Sequence, residues 1–190
     1  MGKKHNSLIV FLLCFFVFTP SSAWSIMKAM RTEDLVKLSE IIVEGEVIHT
    51  ESKWSIDGKK IVTHSVVAIS AMLMGLSSQR TVIVETLGGE VGDIGLIVSN
   101  TAKLSVGEKV VLFLKSAKAL GRVDTHDLQK KAEIIRPNVY RIVTKAQGKY
   151  TITSTGVAIK NGFTVIGETS IIDYKIPLGE LKKKIEKLKK

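Results

Sequence analysis

The stretch EKVVLFLK, residues 108–115, decides the fold. Side chains alternate along a strand, so Val110, Leu112 and Leu114 face one way while Val111 and Phe113 face the other. All five are apolar. A strand with one wet face would interleave polar residues, so this one must be covered on both sides. In a small domain, a barrel with its interior on one side and a helix against the other provides that cover.

Working outward, EIIVEGEVIH (40–49) reads as a strand, with Gly45 marking a bulge or sharp coiling. ESKWSIDGKK then turns the chain at Asp57-Gly58. Further strands follow at 60–73, ended by Gly75, and at 81–87. Downstream, residues 116–137 are charged and poorly periodic, with one short helix in THDLQKKAEII before Pro137. Two hairpins are expected after it, around Gln147-Gly148 and around Asn161-Gly162. Helices are expected near the two ends. One is MRTEDLVKLSE, with Thr32 as its N-cap and Glu33 and Asp34 in its first turn. The other is 177–190, with Pro177 near its first position and a stripe of Leu178, Leu181, Ile185 and Leu188. About eight short strands with helices only near the ends give a mainly β fold. It reads as a small OB-like barrel, with a β-sandwich as the alternative.

The N-terminus has its own logic. MGKKHNS is basic, LIVFLLCFFVF (8–18) is apolar, and TPSSAWS carries a helix breaker and small residues. That order describes a secretory signal peptide, and the apolar run is well short of the roughly 20 residues that a membrane span needs. We expect cleavage near Ala23, leaving one domain over 24–190 that is periplasmic or secreted. Cys14, the only cysteine, leaves with the leader, so the exported part has no thiolate metal site or disulfide. The formal charge is +10, and half of what remains after Lys3 and Lys4 are lost sits in LGELKKKIEKLKK.

The series IIVEGEV, IVTHSVVAISAMLMG, VIVETLGGEVGDIG, LSVGEKVVLFL and GKYTI, in this order, resembles a family of secreted bacterial β-barrel proteins of unassigned function. That family is similar in outline to netrin-like and tissue-inhibitor-of-metalloproteinase domains, which are OB-fold barrels. The resemblance covers roughly residues 33–188 as a loose pattern. Met74 stands where the family usually has lysine, and the cysteine through which metalloproteinase inhibitors act is absent. The resemblance implies an OB-type barrel that includes the C-terminal helix.

No stretch carries a recognisable catalytic constellation. TLGGEVGDIG (86–95) has glycines enough for a phosphate loop but lacks its lysine and its Ser or Thr. Glu90 and Asp93 are too few carboxylates for calcium. We read the stretch as a coiled connection between strands, with a ligand-facing loop as the other reading. Asp124, His126 and Asp127 have ligand chemistry, but they read as a helix start; His49 and His64 lie on strands without a nucleophile beside them. Glu44 and Glu46 share a strand face, as on any half-solvated strand. Trp54 is either a binding-loop anchor or a barrel plug. Lys182, Lys183, Lys184 and Lys187 could meet an anionic membrane or polymer, unless the helix docks on the barrel.

The resulting expectation is an exported, non-enzymatic binding module without cofactor or metal, whose contacts fall in loops 51–58, 86–95 and 116–137. Its partner would be an extracytoplasmic protein or polymer, favoured over a membrane surface and not nucleic acid. A protease-inhibitor or protease-partner domain, and a binder of anionic surfaces through the lysine tail, are the alternatives.

Overall fold

The computed structural model describes residues 27–75, 79–117 and 139–189. The expected leader and the short helix with Asp124, His126 and Asp127 lie outside the described residues. Helix α1 (Thr32–Leu38) precedes ten strands: β1 (Ile41–Trp54), β2 (Ile61–Met74), β3 (Thr81–Leu87), β4 (Gly89–Val91), β5 (Ile94–Leu96), β6 (Lys109–Ser116), β7 (Val139–Ile142), β8 (Lys149–Ile152), β9 (Val157–Ile159) and β10 (Lys175–Pro177). Helix α2 (Leu178–Leu188) follows them.

Five strands close on themselves in the order β1-β2-β3-β7-β6. The ring is antiparallel except where β3 meets β7, with Ile83 opposite Val139 and Val84 opposite Tyr140. Pairing of Ile41–Glu46 with Lys109–Leu114 shuts it. This is the small OB-like barrel, not a sandwich. Beyond β6 the sheet continues through β8, β9 and β10 as a flap outside the ring.

Strand β6 has the two covered faces that its sequence demands. Val110, Leu112 and Leu114 point into the barrel with Val43, Val47, Val67 and Val84. Val111 and Phe113 point outward into a second cluster with Ile42, Leu35, Tyr150, Leu181 and Ile185. The Phe113 and Tyr150 rings lie 6.1 Å apart, tilted by 44°. Leu181 and Ile185 are fully buried, so the C-terminal helix docks on the barrel along its apolar stripe. Each such side chain contributes about 1.5–3 kcal/mol through burial.

Strand β1 must serve both β2 and β6, and it bends to do so. Its register with β2 shifts at three places, one of them between Glu44 and Gly45. A Cβ on Gly45 would overlap the backbone oxygen of Ala68, so only glycine lets the two strands approach at this bend.

Three local expectations are corrected. Thr32 is the first helical residue rather than the cap, which falls at Arg31. Its hydroxyl donates to Asp173 at 2.7 Å and lies 3.0 Å from Tyr150 Oη. Tertiary partners outcompeted the local cap. Gln147-Gly148 is not a hairpin turn: β7 and β8 both lie along one edge of β6, and a single 3₁₀ turn (Lys145–Gly148) bulges out between them. Buried Gln147 belongs to that bulge, accepting from Met30 N at 2.9 Å and donating to Lys28 O at 2.8 Å. Asn161-Gly162 does turn, with Gly162 at φ +79°, but no paired strand follows. Residues 160–174 loop away, and β10 takes the place beside β9.

Removal of the outer aromatic tests this packing. Phe113→Ala should lower the unfolding free energy by about 3–5 kcal/mol in urea titrations. A loss below about 1 kcal/mol would show that the outer cluster is not tightly packed.

Candidate functional site

The β1–β2 hairpin runs past the closed ring, and its turn is tied by Ser55. Ser55 N donates to Lys60 O at 2.7 Å, and Ser55 Oγ accepts from Lys60 N at 3.0 Å. Asp57 Oδ1 lies 2.6 Å from the Ser55 hydroxyl, which holds this carboxyl below its usual range, and it accepts from Lys59 N at 3.2 Å. Ile56 stands 57% exposed on this fastened turn, next to Trp54 at 44%.

The β4–β5 hairpin is brought to the same end. Gly88 N donates to Ile61 O at 2.9 Å, and Thr63 Oγ1 donates to Gly88 O at 2.7 Å. Gly89, at φ +132°, sits directly on Ser52 and Thr63, where a Cβ would overlap both hydroxyls. Trp54 and Ile61, a paired position on β1 and β2, are two residues along from that seat. Leu87 (43%), Ile94 (56%) and Ile97 (97%), in and beside this second hairpin, are exposed apolar residues as Trp54 and Ile56 are on the first. Leu87, opposite Val62, faces the other side of the sheet from Trp54, opposite Ile61. Of the residues singled out in the sequence, Glu90 on β4 and Asp93 in the following turn are both exposed on this second hairpin, beside the end that carries Trp54. Lys53, Lys59 and Lys60 are exposed on the first. The stretch 86–95 thus runs from the end of β3 through β4 into β5, and its glycines allow close seating on the β1–β2 arm.

The tail lysines divide into two pairs. Lys182 Nζ lies 2.5 Å from Glu44 Oε2, and Lys184 Nζ lies 2.8 Å from Asp173 and 3.1 Å from Glu33. Lys183 and Lys187 are exposed. Glu44 and Glu46 do not work as a carboxylate pair here, because Glu44 faces Lys182 while Glu46 is exposed opposite Lys109 in β6.

Sequence reasoning missed a polar cluster on the outer face of β2, β3 and β7. His64 and Glu85 are opposite each other in the β2–β3 register. His64 Nε2 is 3.0 Å from Glu85 Oε2, and Arg141 donates to Glu85 Oε1 from Nε at 2.9 Å and from a terminal nitrogen at 2.6 Å. The hydrogen bond from His64, with the Arg141 guanidinium assisting against the cost of burial, holds the Glu85 carboxyl down at about 2. Nothing in the chain order announces this cluster, since 21 residues separate His64 from Glu85 and 56 separate Glu85 from Arg141. His49 stays exposed on β1. Lys160 was missed as well. It is 3% exposed, and its Nζ sits 4.5 Å from the centre of the Tyr150 ring.

Glu85 makes the acid limb of stability predictable. Its folded-state value lies below the ordinary 4.5, so its contribution is present above about pH 4.5 and is lost as the pH falls towards 2. In acid titrations of unfolding, Glu85→Gln should show a shallower loss over that window than the native chain, by on the order of 2 kcal/mol. Identical acid limbs would mean that Glu85 carries no such linkage.

Compared with protein-family models and with curated proteins, the chain matches none.

Proposed function

We propose that this chain is an exported, non-enzymatic binding module that holds an extracytoplasmic partner at the hairpin end of its barrel. The observation that carries this reading is that Trp54, Ile56, Leu87, Ile94 and Ile97 are exposed apolar residues in or beside two hairpins that are tied to one another at Gly88 before any partner arrives. Scattered exposed aliphatics need no explanation, but several together mark an interaction surface. Tryptophan among aliphatics inside a charged rim is the composition of a protein-binding hot spot, and Lys53, Lys59, Lys60, Glu90 and Asp93 supply the rim. Two tied turns also lose little freedom on binding, which favours affinity.

A protein partner fits this surface better than a polyanion does, because its centre is apolar and its rim carries both signs. The resemblance to secreted barrels similar in outline to protease-inhibitor domains supports a partner of the protease type, held without a reactive cysteine. The lysine tail is the weaker contact surface, since Lys182 and Lys184 face carboxylates of the chain itself.

Capture from an envelope extract tests the reading with the mature chain and two variants. Trp54→Ala/Ile97→Ser alters only exposed residues, so its folding should be unchanged within about 0.5 kcal/mol. The native chain and Lys183→Glu/Lys187→Glu should each retain one discrete protein at high salt, while the apolar variant weakens that binding about 30-fold or more. Retention that survives the apolar variant but disappears with the lysine variant, and only at low salt, would assign binding to the tail instead.

A further inference from the structure

Lys160 is a buried side chain of the outer layer whose amine has no hydrogen-bond partner among the described residues. It follows β9 and opens the loop 160–174. That loop is closed at its ends by a bond from Lys160 N to Tyr174 O at 2.9 Å and by stacking of Phe163 on Tyr174, with centroids 5.7 Å apart. Every neighbouring element presents a group to the amine. Strand β8 offers the face of Tyr150, 4.5 Å away, and the Tyr150 hydroxyl is engaged with Thr32. Helix α1 contributes Glu33, the loop contributes Asp173, and α2 contributes Lys184. Asp173 already accepts from Thr32 at 2.7 Å and from Lys184 at 2.8 Å, and Lys184 also meets Glu33 at 3.1 Å. The charged groups around Lys160 thus satisfy one another and leave its amine outside their network. The Tyr150 face favours an ammonium, but burial without a hydrogen-bond acceptor disfavours it more, so the neutral amine is the form that suits this place.

We propose that Lys160 is a proton-operated latch on the outer layer: with its amine neutral, loop 160–174 stays closed over Tyr150, and protonation of the amine loosens the loop together with its junction to α2. Burial is the main cause that lowers the Lys160 amine from 10.5 to about 7, with the carboxylates of Asp173 and Glu33 opposing the fall and Lys184 adding to it. Because the closed form holds fewer protons than the open one between those values, closure strengthens as the pH rises from about 7 towards 10.5, weakens as it falls back towards 7, and levels off below that. Of the residues named here only Phe163 packs against the barrel-interior cluster; the amine and the charged groups around it lie outside that cluster.

Amide hydrogen exchange at pH 6 and pH 8, corrected for the intrinsic chemical rate, tests the latch on the mature chain. Amides of residues 158–176 should open about tenfold more often at pH 6, with the amides of β2 and β3 unchanged. In Lys160→Met, which keeps the length of the side chain without its charge, that difference should vanish. Equal opening of the native loop at both pH values would overturn the proposal, as would a variant that retains the difference. Should the variant fail to fold, the carbon next to the amine, followed by NMR in isotopically labelled native protein, decides. Titration within about one unit of pH 7 supports the latch, and titration near the ordinary value of about 10.4 overturns it.

Discussion

The rest of the structure depends on β6 being buried on both faces. Val110, Leu112 and Leu114 need a closed barrel, and Val111 and Phe113 need a lid on its outside. Neither requirement can be relaxed alone, because an exposed Phe113 beside Val111 would form an apolar strip on a central strand. The lid is assembled from both ends of the described chain: Leu35 arrives on α1, and Leu181 and Ile185 arrive on α2. The ion pairs of Lys182 and Lys184 then hold the edges of a helix that hydrophobic burial has already placed. Half-exposed pairs of this kind contribute little by themselves, so they orient the helix more than they attach it.

Closure of so small a ring also shapes what lies beyond it. Strand β1 pairs with β6 over its first half only, and the second half runs on with β2 as an arm. The arm's inner face would be open, and β4–β5 is seated there against Ser52 and Thr63. Trp54 at the end of β1, Ile56 in the turn, Leu87 at the end of β3, Ile94 on β5 and Ile97 just after it are among the apolar residues this arrangement leaves in water. The proposed contact surface is therefore a by-product of how the barrel closes. The hairpin end and the outer layer are separate regions, so the proposed partner and the proposed lysine latch need not interfere.

Much of the framework was legible in the chain because it rests on local signals. Two-sided apolarity announced β6, the amphipathic stripe announced α2, and Gly45 marked a bulge in β1. What was not legible depends on pairing between distant strands. The Asn161-Gly162 signal marks a bend with Gly162 at positive φ, but a bend makes a hairpin only if the following strand finds the preceding one at once, and here β10 takes that edge. Gln147-Gly148 failed for a similar reason: β6 offers one long edge, and the chain uses it twice with a bulge between. Thr32 looked like a cap until Tyr150 and Asp173 were placed beside it. At the hairpin end, the sequence named Trp54, Glu90 and Asp93 but could not show that the two hairpins share one end, because Gly89 meets Ser52 only in three dimensions. The Glu85 cluster and buried Lys160 belong to the same class of fact.

The central claim is that barrel and helical lid are one cooperative unit joined through β6. Native-state hydrogen exchange in dilute denaturant tests it most directly. The amides of residues 110–114 in β6 and of 182–186 in α2 should exchange with the same free energy, equal to that of global unfolding. Exchange of the α2 amides several kcal/mol more easily, with β6 still protected, would show that the barrel stands without its lid and would contradict the account.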